Sequence, residues 1–456
     1  MVGRNPVSWR EENVIVRLMK AFARRSADGT TIFTTSSSNR VCAYVLPSDI
    51  LEPRGEPASL QAQGTLSFPE ATNVIAPCPY FSLEVPETQV LLTALQDHPI
   101  HLHQAFPPTA EEEVASGSLS APRQPPPLAH YNLIKSTTEQ YLPVRSLIWP
   151  SAGTHFIAGT NDLVAVFDVN RTEPLLPIKT IPSRRHKSAG QGIGMRGTVA
   201  ALAAHPSRDT STSLIAAGTW TRHIALYDLM RGGESVATWS VKDAAPDLGG
   251  DGIVQTGWSP CGTYLLVNER QSDGILVYDL RSTKQLLATL SGRDGRTFQR
   301  LTYDVYPGTA DKGGFEVWAG TKTGTVKVWE GVGNQEGDTG SSWEWEAHGS
   351  AVGSTALHSC GSVIATCSGE WKVSDPCESD MADGPDSEEN SDSGEESESS
   401  ASSGTSESEF ESDHSGFITR QRIKPRTVVE ETSLRIWSIG SAAAVGEPEH
   451  FVPYVE

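Results

Sequence analysis

The stretch WSPCGTYLLVNERQSDGILVYDL, at residues 258–280, decides the fold. A Ser-Pro-x-Gly turn precedes a first apolar run, the turn dipeptide Asp273-Gly274 follows, and a second apolar run ends in Tyr278-Asp279. Short apolar runs joined by such a dipeptide are typical of a β-hairpin. The stretch therefore predicts two antiparallel strands, and we expect Asp279 to close the unit by hydrogen bonding within it.

The same unit recurs along the chain. Clear copies predict strand pairs at residues 155–159 and 163–169, 213–218 and 224–229, 263–268 and 275–280, and 315–320 and 325–330. Weaker copies lie at 28–35 with 39–47 and at 90–95 with 100–106, and a last copy is split between 362–368 and 433–438. The endings recur at about 50 to 60 residues, against roughly 40 to 45 for a lean WD repeat, so we expect long loops.

Units of this kind stack around an axis, which protects their strand edges. The sequence therefore predicts an all-β fold, a WD-repeat β-propeller of about seven blades with a long disordered acidic insertion in the last blade. We divide the chain into an N-terminal segment at 1–19, which is a candidate for a closing strand, and propeller blades at 20–373. The acidic Ser/Glu-rich insertion at 374–430 ends in a basic stretch, the final strand lies at 431–440, and a C-terminal tail follows at 441–456.

The acidity of the chain is concentrated in this insertion. The formal net charge is −20, and between Lys372 and Arg420 there are fifteen carboxylates and neither Lys nor Arg. The rest of the chain carries about −5, so the global charge does not exclude an RNA partner. The Ser/Glu composition cannot offset the entropy of ordering. The insertion is either a solvated loop or a charge switch phosphorylated at Ser393, Ser406 and Ser408, each closely followed by acidic residues.

The sequence predicts no catalytic residue, cofactor or metal site. It has no H-E-x-x-H or G-x-S-x-G motif, no P-loop, and no Cys/His cluster with the spacing of metal ligands. His101 and His103 alternate on one predicted strand, but a third ligand is lacking. Six cysteines without a C-x-x-C pair favour a reducing intracellular compartment. No apolar run approaches the roughly 18 to 20 residues that span a bilayer, so we expect no membrane partner.

The candidates for RNA binding are surface cations and one aromatic residue, because single-stranded RNA is bound by stacking on rings and by cations along its backbone. Two basic clusters lie in predicted loops, and two residue pairs lie at blade edges. The candidates are Arg184, Arg185 and Lys187; Arg420, Arg422 and Lys424; Trp220 with Arg222; and Gln299 with Arg300. The alternatives are a solvated charge run for each cluster, a packed blade anchor for Trp220 and a salt bridge to Asp304 for Arg300.

Further segments carry a more specific pattern. They are DGTTIFTTSSSNRVCAYVLP at 28–47, DHPIHL at 97–102, FQRLTYD at 298–304, GSVIATCSG at 361–369 and LRIW at 434–437, the last two on either side of the acidic insertion. In this order they resemble the telomerase Cajal body protein family of WD-repeat proteins, over about residues 20–440.

This resemblance implies a nuclear, non-enzymatic scaffold that binds RNA and helps to assemble small ribonucleoproteins. The implied partners are small nuclear or Cajal-body-type RNA, telomerase RNA among them, and ribonucleoprotein subunits. The implied roles are telomerase RNA localisation or support of small nuclear ribonucleoproteins and pre-mRNA splicing, without DNA as a partner. The alternative is a propeller that binds only proteins, such as a peptide or substrate receptor in a larger complex.

Overall fold

The structure is a computed structural model of the 456-residue chain. It describes residues 22–36, 38–52, 59–107, 126–135, 137–181, 194–207, 214–282, 285–308, 312–369, 372–373, 427–428, 432–439 and 454–455. The regular structure in these residues is β-strand, apart from short 3₁₀ turns. None of them forms a helix long and apolar enough to cross a membrane.

The first four blades are antiparallel sheets of four strands each. Blade 1 contains β1 (Phe22–Arg25), β2 (Thr31–Thr35), β3 (Arg40–Val45) and β4 (Gly64–Ser67). Blade 2 contains β5 (Val74–Pro77), β6 (Val90–Ala94), β7 (Ile100–Gln104) and β8 (Ala129–Tyr131). Blade 3 contains β9 (Ser146–Ile148), β10 (His155–Thr160), β11 (Leu163–Asp168) and β12 (Leu176–Lys179). Blade 4 contains β13 (Val199–Ala204), β14 (Leu214–Thr219), β15 (His223–Asp228) and β16 (Glu234–Ser240).

The last three blades exchange or interrupt strands. Blade 5 contains β17 (Ile253–Trp258), β18 (Tyr264–Glu269), β19 (Ile275–Asp279) and β20 (Leu286–Leu290), and β24 (Gly337–Thr339) adds to it in parallel. Blade 6 contains β21 (Tyr303–Tyr306), β22 (Phe315–Gly320), β23 (Thr325–Val332) and β25 (Trp343–Glu346). Blade 7 contains β26 (Val352–Leu357), β27 (Val363–Gly369), β30 (Thr432–Ser438) and β31 (Tyr454–Val455).

These sheets form a seven-bladed β-propeller, which confirms the predicted fold. Each blade runs outward from its first strand, and first strands of neighbouring blades contact one another. The contact between β26 and β1 closes the ring. The core lies between the blades, since one apolar cluster joins Leu226 of blade 4 to Trp258 of blade 5 and another joins Ala365 of blade 7 to Ile32 of blade 1.

The second and third strands of every blade match the predicted strand pairs. In blade 5, β18 and β19 are buried along nearly their whole length, because neighbouring blades cover both faces. Outer strands such as β16 and β25 are largely exposed. The apolar pattern by which the repeats could be recognised in the sequence therefore comes from the second and third strands.

The aspartates that end the third strands hold the turn that follows, as predicted. Asp168 Oδ1 accepts a hydrogen bond from the backbone N–H two residues later, at 2.9 Å. Asp228 and Asp279 do the same, each at 2.9 Å. Their role is structural, and it lies within each blade.

A repeated contact joins neighbouring blades at the turns between first and second strands. The His358 ring of blade 7 packs on Gly29 of blade 1, where a methyl group would overlap the imidazole. His205 of blade 4 packs on Gly262 of blade 5 in the same way, and its Nε2 lies 3.1 Å from the Gly262 carbonyl oxygen. Both glycines have positive φ, +78° and +74°, which side chains rarely adopt. The contact at Gly29 lies at the closure of the ring.

Blade 7 is split by the insertion, as predicted. β27 pairs with β30 from Val363 opposite Ser438 to Gly369 opposite Thr432, with residues 370–431 between the two strands in the chain. A buried network holds the pair: the Trp437 indole N–H donates to the Thr366 hydroxyl at 2.8 Å, which lies 2.7 Å from His348 Nε2. His348 Nδ1 lies 3.0 Å from the Ser433 hydroxyl. His348 is therefore structural.

The ends of the predicted domains differ from the structure in one respect. The segment 441–456, expected to be a tail, supplies β31, the outer strand of blade 7, which pairs with β30. The N-terminal segment 1–19 lies outside the described residues. Residues 371–428 form a second unit, in which β28 (Lys372–Val373) pairs with β29 (Thr427–Val428).

Candidate binding face around Trp220

One end of the blades, which we call the upper face, carries two kinds of loop. These are the loops that lead into the first strands and the turns that join second to third strands, because each blade is an antiparallel meander. Trp220 lies in such a turn of blade 4, between β14 and β15. Propeller binding sites are built from loops of several blades, so this face is the natural place for a composite site.

Trp220 is an exposed aromatic side chain on a fixed backbone. Trp220 is 37% exposed, whereas a packed blade anchor, the alternative considered from the sequence, would be buried. Its backbone N–H donates to the Thr198 carbonyl at 3.1 Å, and Gly252 of blade 5 packs directly against its backbone. Two guanidinium groups lie by the ring: Arg145 at 5.9 Å and Arg270 at 5.5 Å from the ring centroid. These distances fit cation–π contacts.

Arg145 reaches Trp220 from the loop that leads into blade 3. Its two terminal nitrogens donate to Asn73 Oδ1 and Gln96 Oε1 of blade 2, both at 2.8 Å. Burial lowers the pKa of Arg145, and the nearby Asp97 carboxylate opposes that shift. Both hydrogen-bond partners are neutral amides, so Arg145 keeps its positive charge. Its guanidinium is held where blades 2, 3 and 4 meet.

Arg270 reaches Trp220 from the other side, from the turn after β18 in blade 5. Its guanidinium pairs with the Asp251 carboxylate at 3.3 Å and donates to the Asp251 carbonyl oxygen. The Arg270 side chain is 29% exposed and Asp251 is 59% exposed, so this pair faces water. We call Trp220, Arg145 and Arg270 together the Trp220 platform.

Arg222, predicted as the partner of Trp220 in RNA binding, has a different environment. Its Nε donates to Glu269 Oε1 at 2.8 Å, and its terminal nitrogen donates to Glu269 Oε2 at 2.9 Å and to the Gly249 carbonyl at 3.2 Å. The Glu269 side chain is only 3% exposed. Burial raises the pKa of Glu269, and Arg222 works against that rise. The guanidinium of Arg222 thus joins blades 4 and 5 rather than facing solvent.

Gln299 and Arg300 lie in the loop that leads into blade 6. The Gln299 backbone N–H donates to the Thr297 hydroxyl at 3.2 Å. Arg300 is partly buried, and this burial, together with the nearby Arg24 charge, lowers its pKa to about 10. Phe298, in the same loop, is 76% exposed. The sequence analysis selected neither Phe298 nor the exposed Arg296 of this loop.

The remaining predicted residues lie outside the described residues. These are Arg184, Arg185 and Lys187, then Arg420, Arg422 and Lys424, and the serines Ser393, Ser406 and Ser408. The first basic cluster belongs to the connection from β12 of blade 3 to β13 of blade 4. In an antiparallel meander such a connection begins and ends at the upper face.

Two histidines of blade 2 lie close together. The His101 and His103 rings lie 5.6 Å apart, and burial lowers the pKa of both, that of His103 to about 4. Within the described ranges, no group of three or more His, Cys, Asp or Glu side chains could hold a metal ion.

The fold and this face define a class of protein: a WD-type β-propeller, an interaction scaffold. No family model matches the chain. The chain is similar to the "Guanine nucleotide-binding protein negative regulator 1" of Schizosaccharomyces pombe, with 23% identity over 310 residues. That match covers 67% of this chain and 69% of the yeast protein.

Proposed function

We propose that this protein is a non-enzymatic scaffold that binds single-stranded RNA of small ribonucleoproteins on its upper face. The observation that carries the proposal is the Trp220 platform, an exposed indole with the cations Arg145 and Arg270 held beside it. Base stacking on an aromatic ring contributes about 1 to 3 kcal/mol per base and tolerates any base. Cations held beside the ring would contact the phosphates on either side of the stacked nucleotide.

The fixed positions of the Arg145 and Arg270 side chains also favour RNA binding at this face. Arg145 is fixed by Asn73 and Gln96, and Arg270 by Asp251, so little side-chain entropy is lost when a phosphate is bound. The basic cluster at 184–187 lies in a connection that starts and ends at this face, and it would extend the path of the RNA backbone.

The identity of the RNA follows from the family resemblance. Small nuclear or Cajal-body-type RNA, telomerase RNA among them, is the RNA class we propose, and ribonucleoprotein subunits are the proposed protein partners. The proposed location is the nucleus, and the proposed roles are telomerase RNA localisation or support of splicing ribonucleoproteins. A phosphorylated insertion, at Ser393, Ser406 and Ser408, would compete with RNA for the basic segments.

The test is a binding titration with the full-length protein and a labelled single-stranded RNA of about ten nucleotides. Trp220→Ala should weaken binding by about 5- to 150-fold. Arg145→Gln and Arg270→Gln should each reduce the slope of log K against log salt by about 0.7. The matched control is Arg231→Ala, an exposed cation at the opposite end of blade 4, and it should change neither quantity. Equal binding by Trp220→Ala and the wild type would refute the proposal.

A second experiment tests whether the basic cluster at 184–187 contacts RNA. RNA crosslinked to the tagged protein in cells is sequenced, with Arg184, Arg185 and Lys187 changed to Ala in the comparison strain. Small nuclear or telomerase RNA should be enriched, and it should decrease in the variant. Recovery at background in both strains would leave a scaffold for proteins only.

That protein-only scaffold is the second candidate. It is favoured by the name of the yeast relative, "Guanine nucleotide-binding protein negative regulator 1". A propeller that binds a peptide on the upper face would lose its partner on Trp220→Ala but would be indifferent to neutralisation of the 184–187 cluster. Both candidates predict weaker binding by Trp220→Ala, so neutralisation of the 184–187 cluster is the variant that separates them.

A further inference from the structure

The outer edge of blades 5 and 6 is strongly acidic. Residues 328–346 contain the carboxylates Glu330, Glu336, Asp338, Glu344 and Glu346 and neither Lys nor Arg. This segment supplies β24, which lies on the edge of blade 5, and β25, which is the edge strand of blade 6. Its carboxylates are exposed, apart from the half-buried Glu330. We call residues 336–346, which include β24 and β25, the acidic rim.

Two tryptophans form a rigid platform on the acidic rim. Trp343 and Trp345 are stacked, with ring centroids 5.6 Å apart and an angle of 27° between planes. The buried Trp318 supports them edge-on, 5.0 Å from Trp343 at an angle of 89°. Trp343 is nevertheless 38% exposed. Trp343 therefore presents a partly exposed indole at an edge strand, supported from below by Trp318.

Nearby lysines neutralise only part of the charge. Lys327 pairs with Glu344 at 2.7 Å, and Lys312 pairs with Glu330 at 2.8 Å. Beside the platform, the Glu316 carboxylate accepts a hydrogen bond from the Trp318 indole at 3.0 Å. Glu316 is buried, and that burial raises its pKa. Among the described residues, the charges around the tryptophans thus remain predominantly negative.

We propose that the acidic rim binds an arginine-rich peptide segment of a partner protein. The charge selects a cationic ligand and repels nucleic acid. The indole selects arginine in particular, since a planar guanidinium stacks on an aromatic face and can also bind a carboxylate with two hydrogen bonds. An extended segment along the exposed edge of β25 would bring successive arginines to Trp343 and to the exposed carboxylates.

The acidic rim is a second site, and it does not depend on the proposed function. The rim lies on the outermost strands, whereas the Trp220 platform lies on turns and loops of blades 3, 4 and 5. The two sites have opposite charge. One scaffold would therefore bind RNA through one surface and a basic protein segment through another.

The test uses the full-length protein and an arginine-rich peptide of about nine residues that carries a photo-crosslinker. The same peptide with citrulline for arginine is the neutral control, and a lysine version keeps the charge without the planar group. Trp343→Ala should weaken binding roughly 2- to 30-fold, and the paired change Glu336→Gln with Glu346→Gln should weaken it and reduce its salt dependence. The matched control is Glu234→Gln on the exposed outer strand of blade 4. Circular dichroism confirms that each variant is folded.

The proposal requires crosslinks on β24 or β25, stronger binding of the arginine peptide than of the lysine peptide, and no effect of Glu234→Gln. Crosslinks confined to the acidic insertion at 374–413, with Trp343→Ala binding like the wild type, would overturn it. Equal binding of the citrulline peptide would also overturn it. If the peptide fails to bind and Trp343→Ala instead converts a dimer to a monomer, the rim binds a second copy, which refutes the proposal too.

Discussion

The ion pair between Arg222 and Glu269 gives the sharpest prediction, because it separates a structural from an RNA-binding role for Arg222. Replacing Arg222 with Ala removes two hydrogen bonds to the carboxylate and one to the Gly249 carbonyl. Glu269, with a side chain only 3% exposed, is then left as a buried charge. Removing one partner of such a pair costs about 3 to 5 kcal/mol, a large part of the stability of a domain.

The pH dependence of that cost has a definite sign. Burial already raises the pKa of Glu269, and without Arg222 the rise is greater. The folded variant therefore binds a proton that the unfolded chain releases above its ordinary pKa, so its stability decreases as the pH increases from about 4.5. We expect Arg222→Ala to be less destabilising at pH 5 than at pH 7.5.

Urea unfolding at both pH values measures these effects, with the double variant Arg222→Met and Glu269→Leu as the control. The double variant should recover most of the lost stability, because an apolar pair of similar volume replaces the buried charges. Its RNA affinity should equal that of the wild type. A loss below about 1 kcal/mol for Arg222→Ala, together with a tenfold loss of RNA affinity, would make Arg222 a binding residue and refute the structural assignment.

Three further changes test the packing of the ring. The pKa of His103 in the folded protein is lowered to about 4, so the unfolded chain takes up this proton first as the pH falls. The free energy of unfolding should therefore decrease by about 2 kcal/mol from pH 7 to pH 5. His103→Leu should remove that part of the pH dependence in urea titrations. Gly29→Ala places a methyl group against the His358 imidazole at a position with positive φ, and it should lower the free energy of unfolding by about 1 to 3 kcal/mol or more. Thermal unfolding should show a clearly larger loss than for Gly232→Ala, where φ is positive but nothing lies within 4 Å. Thr366→Val removes the hydroxyl that accepts from the Trp437 indole and should cost about 1 to 3 kcal/mol, whereas an unchanged midpoint would show that the network contributes nothing.

The parts of the fold that the sequence predicted are those with a strong local signal. Second and third strands such as β18 and β19 are apolar on both faces, so they could be recognised in all seven blades. Short turns join these two strands in the first six blades, whereas residues 370–431 separate them in blade 7. Outer strands such as β16 are polar and exposed, and they resemble loops. The addition of β24 to blade 5 joins segments far apart in sequence, and no local pattern indicates it.

The binding face was predictable only in part, for the same reason. Trp220 could be selected as an aromatic residue in a turn, but Arg145 and Arg270 reach it from neighbouring blades. The sequence suggested Arg222 as the partner of Trp220. Its guanidinium instead binds Glu269, 47 residues away in the chain. Residue types near a turn can be read from the sequence, whereas contacts between blades depend on the closed ring.

The split of blade 7 affects the order in which the protein can be completed on the ribosome. When β27 has been made, its partner β30 is still to come, and synthesis of residues 370–431 takes roughly 3 to 12 seconds at 5 to 20 residues per second. Throughout this interval one edge of β27 is unpaired and the buried Thr366 lacks Trp437. A nascent or prematurely terminated chain would thus present an open ring with an unsatisfied strand edge, the kind of surface that chaperones bind and that aggregates form on.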